Sequence, residues 1–210
     1  MLDVHAPEHE IHGFRDFFLH LFTITIGLLI ALSLEASVEA LHHRHQREEA
    51  ETLIRREIQN NLDSLHAGQP GAMAELRQMT TVLKTLEARA QSKPGALHDS
   101  DFIFHEAPFQ DAAWRTASST GALSYMDYGE VERFSDAYKE QALLQTMEEQ
   151  ALDDYLQLMP VVAHSGNAGV VSPEIAKEAI PFVRRVIAHL SGMMDVGAGT
   201  VEMYEAALKE

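Results

Sequence analysis

The residues best placed to do chemistry are histidines and carboxylates, because the chain has no cysteine. Glu39 and His42 stand three apart, a spacing that on a helix puts a carboxylate and an imidazole on one face, as in the bridging ligands of di-metal bundles. Such a centre needs a second Glu-x-x-His and two further glutamates on facing helices. No second Glu-x-x-His occurs, so a complete intrachain metal site is not expected. His5, His9 and His12 are spaced by four and three and could share a metal on a helix. Pro7 interrupts a regular helix there, and solvated or headgroup-facing side chains are the expectation.

His20 stands alone in an apolar run. An imidazole in that setting can ligate haem or a chlorophyll-type pigment shared with a partner, bond to a neighbouring helix, or snorkel to the interface. The interhelix bond is the expected role, with no cofactor and the haem or pigment reading as the alternative. Ser118, Ser119 and Thr120 precede Gly121 but form no G-x-S-x-G elbow, and Gly197-Ala198-Gly199 follows no strand, so neither nucleophilic catalysis nor phosphate binding is indicated. Trp114, Tyr125, Tyr128 and Phe134 could gather into an aromatic patch, by default as core packing. No enzyme activity is expected.

The element that must position these residues is the run Phe17–Leu34, FFLHLFTITIGLLIALSL, which carries no formal charge. It approaches the ~20 residues that take an α-helix across about 30 Å of hydrocarbon, and lipid leaves a lone segment no other way to satisfy its backbone. Residues 14–41 are therefore read as a transmembrane helix, after a tail at 1–13 and before a helical extrinsic domain at 42–210. His20, Thr23, Gly27, Ala31 and Glu35 fall on one helical stripe that is small or polar. Small residues permit close backbone approach in a bilayer, and ionisable groups at membrane depth face protein or water, so this stripe is the expected packing face. The preceding segment has Arg15 as its single base among several acids, unlike a cleaved export signal.

Just beyond the span, His42, His43, Arg44, His45 and Arg47 form a collar at headgroup level, suited to anionic lipid. Arginines are richer on this flank than before the span, which by the positive-inside rule places the large domain in the cytoplasm. The net charge of −16, with 32 acids against 16 bases, excludes a nucleic-acid partner.

The remainder reads as an all-α protein: no sustained strand alternation or internal repeat is visible. The span is expected to continue as a rod to about His66, where Gly68, Pro70 and Gly71 turn the chain back. A second helix at 72–91 would then pack antiparallel on the rod. A short helix at 110–119 follows, then a long one at 128–158 begun by Asp127 and Glu130 in a capping-box pattern. The last long helix, 173–190, is capped by Ser172 and bent at Pro181, followed by a flexible stretch at 192–199 and a short helix at 200–208. Phe102, Phe104 and Phe109 are anchors in the intervening loop. The sum is an antiparallel bundle of about four helices.

ITIGLLIALSLEASVEAL, followed by a charged helix and by AWRTASSTGALSYMDYGEVERFSDAYKEQ, resembles a group of uncharacterised single-pass bacterial membrane proteins. The resemblance implies an inner-membrane anchor and a helical extrinsic domain, and it carries no functional residue. The expected partners are membrane lipid and other integral subunits, with a homo-oligomer left open. The function expected is that of an accessory subunit of a membrane complex; a membrane-tethered ligand sensor with a pocket between helices, and a cofactor-binding electron-transfer or photosynthetic subunit, are the alternatives.

Overall fold

The computed structural model describes residues 13–97, 108–163 and 170–209. Among these, every regular element is helical: α1 (Phe14–Ala90), α2 (Ala112–Thr120), a single 3-10 turn (Ala122–Tyr125), α3 (Tyr128–Ala163) and α4 (Pro173–Leu208). The all-α class and a bundle of about four helices, the first of them long and apolar at its start, are thus as the periodicity suggested. His5, His9, His12, Phe102 and Phe104 lie outside the described residues, as does most of the loop expected after α3. Tertiary contacts divide the chain into two compact units, Met1–Glu48 and Glu49–Glu210.

In the first unit every residue of α1 from Phe14 to Leu41 is exposed. Its most apolar window has a mean hydropathy of 2.3 and no buried residue. By length and composition this helix can cross a membrane. Its hydroxyls are already served: Thr23, Thr25, Ser33 and Ser37 each donate to the carbonyl four residues back, at 2.7–2.9 Å. That removes the penalty of carrying a bare hydroxyl into hydrocarbon.

The second unit is built on two cores. In one, Ala50, Ile54, Ile58 and Leu62 of α1 meet Ala117 of α2, Phe134 and Tyr138 of α3, and Tyr204 and Ala207 of α4. In the other, Met79, Val82 and Leu86 of α1 meet Tyr155 and Leu158 of α3 and Val183, Val186 and Leu190 of α4. Rising numbers on α1 match rising numbers on α3 and falling numbers on α4. So α1 and α3 run the same way, and α4 runs antiparallel to both. Arg184 holds Glu87 at 2.8 Å, and Arg89 donates to the Val171 carbonyl at 2.8 Å, which ties the start of α4 to the end of α1.

The turn expected at Gly68, Pro70 and Gly71 does not form, and residues 72–90 extend α1 instead of folding back on it. A proline inside a helix costs about 3 kcal/mol and a glycine about 1. Here that cost is exceeded by apolar burial on both sides of the break, against α3 and α4, which continue past it. α3 likewise stays helical through Pro160, and α4 is one continuous helix through Pro181 and Gly192–Gly199, where a flexible stretch and a separate short helix were expected. α1 runs on to Ala90, yet Gln110, ahead of α2 and α3, lies beside Asn61, so α3 starts by the first core and runs parallel to α1.

An exposed helical Gly68 has open space where a Cβ would be. Gly68→Ala is therefore expected to stabilise the bundle by about 1 kcal/mol, read as a raised midpoint in thermal or urea melts. A turn at this place would give a loss instead.

Candidate functional site

Two features of the first unit bear on function. The stripe His20, Thr23, Gly27, Ala31 and Glu35 is exposed along its whole length, and a Cβ at Gly27 would meet nothing within 4 Å. The face is open to a neighbour. Past it, the five collar residues lie on consecutive turns of the same helix, four exposed and His43 half-buried. Arg44 is committed to Glu48 at 2.7 Å, and that bond holds the Glu48 carboxyl below its ordinary range. Glu39 approaches His43, at 3.9 Å, as its i+4 neighbour. Among the described residues no three His, Asp or Glu side chains gather as metal ligands.

The second unit holds a buried polar network that periodicity alone did not single out. Glu57, on the apolar face of α1, accepts the backbone N–H of Ala113 at 2.9 Å, that of Trp114 at 3.4 Å, and the Tyr138 hydroxyl at 2.6 Å. These N–H groups open α2, whose own N-cap residue, Asp111, makes no side-chain cap bond. A carboxylate from another helix therefore caps α2, where the helix dipole favours negative charge. Trp114 stacks on Tyr138 with ring centroids 5.2 Å apart.

One turn on, the fully buried Asn61 grips the Gln110 backbone from both sides, accepting from its N–H at 2.8 Å and donating to its carbonyl at 2.7 Å. Asn61 also donates to Gln141 at 3.0 Å, and Gln141 accepts the Tyr204 hydroxyl at 2.7 Å. Four elements meet in this network. Burial pushes the Tyr204 phenol above its usual range, and burial together with the bond to Glu57 does the same for Tyr138. The oxygens of Glu57 are spent on structural donors, which suits an anchor of α2 and not a proton-transfer group.

Flanking ion pairs extend the frame. Arg55 bonds Glu51 and Glu130 and donates to the carbonyls of Ala207 and Leu208 at 3.4 and 3.3 Å, closing the C-terminus of α4. Burial raises the Glu130 carboxyl against the opposing pull of Arg55. In the other core the buried Asp154 takes Arg185 at 2.8 Å and lies 3.3 Å from His189.

Between the two cores lies a cavity of about 120 Å³. Leu65 and Ala72 of α1, Leu144 of α3, and Leu190, Met193 and Val201 of α4 give it an apolar wall. His66, Gln69 and Glu148 supply the polar part, and no lysine or arginine lines it.

The remaining sequence candidates resolve into structure. Ser119 and Thr120 bond back to the Thr116 carbonyl at 3.0 and 2.8 Å, and Gly121, with φ of 79°, is the left-handed cap of α2. Gly197-Ala198-Gly199 lies inside α4. The aromatic patch divides: Phe134 is core, Trp114 packs against it, and Tyr125 and Tyr128 are exposed.

Fold and site together define an all-α protein with one helix able to span a membrane and a polar-braced helical bundle. Comparison with protein-family models, curated proteins and solved structures finds no match for this chain.

Proposed function

We propose that this protein is a non-catalytic, membrane-anchored accessory subunit of a larger membrane complex, of the uncharacterised bacterial single-pass class that its sequence resembles. The observation that carries the reading is the uncovered apolar helix at Phe14–Leu41. At about 1.5 Å per residue it reaches about 42 Å, the depth of a bilayer with its headgroup regions at about 40–45 Å. The span sits in the bacterial inner membrane and docks on other integral subunits through the His20–Glu35 stripe. The collar at His42–Arg47 meets anionic headgroups, and the acidic bundle stands in the cytoplasm. Support for a structural role comes from Glu57, Asn61 and Gln141, whose polar atoms brace helices.

The absence of native cysteine makes introduced thiols unique. Cross-linking from Thr23→Cys, Gly27→Cys and Ala31→Cys is expected to capture protein neighbours, with Leu29→Cys reporting lipid. Native mass spectrometry of the detergent extract is expected to retain the same neighbours. Release of the chain by carbonate washing, or stripe cross-links to lipid alone, would defeat the proposal.

Placing a charge mid-span is a sharper test of insertion. Leu28→Arg is expected to cost about 3 kcal/mol of insertion free energy, read as a shift of protein from the membrane pellet to the carbonate supernatant. Leu28→Ile should leave the partition unchanged.

A further inference from the structure

We infer that the cavity between the two cores is a binding site for a small, neutral, apolar molecule the size of one aromatic ring. The inference goes beyond the anchoring role and does not depend on it.

Size and wall set the class of ligand. A cavity of about 120 Å³ compares with the roughly 150 Å³ apolar cavity that stays dry and accepts benzene, so one ring or a short hydrocarbon chain fits. Leu65, Leu144, Leu190 and Val201 line it together with Met193 and Met194, whose unbranched side chains adapt to irregular apolar bodies. A molecule that leaves water for such a wall gains in proportion to the apolar area it buries. His66, Gly68, Gln69 and Ala198, all exposed, border the cavity and give a path from solvent.

Charge of either sign is disfavoured. No lysine or arginine lines the cavity, so an anion would find no counter-charge of that kind, in a protein of net charge −16. A cation fares no better, because Glu148, the acid among the lining residues, is already engaged in an interaction within the protein. Either ion would give up its hydration without a partner in waiting.

The sequence explains why the space exists. Gly68-Gln69-Pro70-Gly71-Ala72 lies inside α1 and Gly197-Ala198-Gly199 inside α4, and Gly68, Ala72, Gly197 and Ala198 all line this one cavity. Glycine is a poorer helix former than alanine because it loses more backbone freedom, so both helices hold these residues at a loss of stability. What they leave is room. No residue of α1 at 63–74 is buried, whereas Leu144 of α3 and Leu190 of α4, which line the same space, are. On either side of that stretch α1 is buried again, at Leu62 in one core and Met79 in the other.

The test uses full-length protein with methyl-labelled methionine in nanodiscs, titrated with benzene and followed by NMR, with empty nanodiscs fixing the free benzene concentration. Saturable one-site shifts are expected at the methyls of Met193 and Met194, assigned by Met→Leu substitution, while Met126 and Met203, which do not line the cavity, stay in place. Benzoate and benzylammonium should each bind about tenfold more weakly or worse, for want of a partner to their charge. Ala72→Leu should abolish the benzene shifts by filling the space. Circular dichroism melts establish that the variant is folded; should it fail to fold, the order of the three probes at the same two methyls of the wild-type protein decides the matter. No saturable shift at Met193 and Met194, equal shifts at Met126 and Met203, benzoate or benzylammonium as tight as benzene, or undiminished binding by folded Ala72→Leu would each overturn the inference.

Discussion

Glu57→Ala is expected to destabilise the helical bundle by about 4 kcal/mol, an effect at the upper end for a single substitution. Three donors lose their acceptor at once: two backbone N–H groups at the start of α2 and the hydroxyl of Tyr138. Loss of a helix cap costs about 1–2 kcal/mol, and a stranded buried hydroxyl about 1–3 more. At roughly 2–4 °C per kcal/mol for a domain of this size, thermal melts should shift down by about 10 °C or more. Glu57→Gln, which keeps one acceptor oxygen, should lose about half as much.

The partner substitution separates coupling from packing. Tyr138→Phe alone removes a donor and leaves Glu57 with its two backbone bonds, so its cost should stay near 1 kcal/mol. In the double variant no hydroxyl is stranded, and its loss should fall short of the sum of the singles by about 1–2 kcal/mol. Additive losses would mean that the 2.6 Å contact contributes nothing of its own.

The distinction between what periodicity reveals and what it hides runs through α1. Its apolar face, Ile54, Ile58 and Leu62, then Met79 and Leu86, is legible as spacing, and so are the helix starts at Asp127, which accepts the N–H of Gly129 and Glu130, and Ser172, which accepts that of Ile175. Local signals sufficed there because the cap and the helix it opens are neighbours in sequence. The continuity of α1 through Pro70 was not legible. A Gly-x-Pro-Gly cluster is a turn signal on its own, and what overrides it is burial against α3 and α4, which appears only once the chain has folded. Gly192 shows the same: expected in a flexible stretch, it lies inside α4 with the Met147 Cε 2.5 Å from where a Cβ would stand, packed against α3. Asn61 and Glu57 did leave a trace, as polar residues on an otherwise apolar stripe. Their partners, Gln110, Ala113 and Tyr138, are 49 to 81 positions away, beyond any local pattern. For Phe14–Leu41 the situation is reversed: every residue there is exposed, so no contact within the chain overrides what length and composition say.

Above pH 10 the bundle is expected to lose stability steeply. Tyr138 and Tyr204 are buried, and burial holds both phenols protonated well above their ordinary value, with the Glu57 carboxylate adding to the effect at each. Burial also moves Tyr155 up, to about 12. In the unfolded chain a tyrosine ionises near pH 10. Past that pH the unfolded state binds fewer protons than the folded one, so stability falls as pH rises, by at most about 1.4 kcal/mol per unit for each such tyrosine. Tyr138 and Tyr204 together give about 2.7 kcal/mol per unit, and Tyr155 adds up to about 1.4 more as far as pH 12; below pH 10 they contribute no slope. Urea midpoints of the full-length protein in detergent, taken from pH 8 to 11.5, measure it. Lysine titration and general charge repulsion supply a background common to all variants, so the decisive comparison is with Tyr204→Phe. At pH 8 that variant should be weaker by about 1–1.5 kcal/mol, for the lost bond to Gln141. Because it no longer carries the Tyr204 penalty, its curve should fall less steeply and meet the wild-type curve near pH 11. Parallel curves would mean that Tyr204 ionises as readily in the folded protein as in the unfolded one, and that the network around Asn61 is open to water.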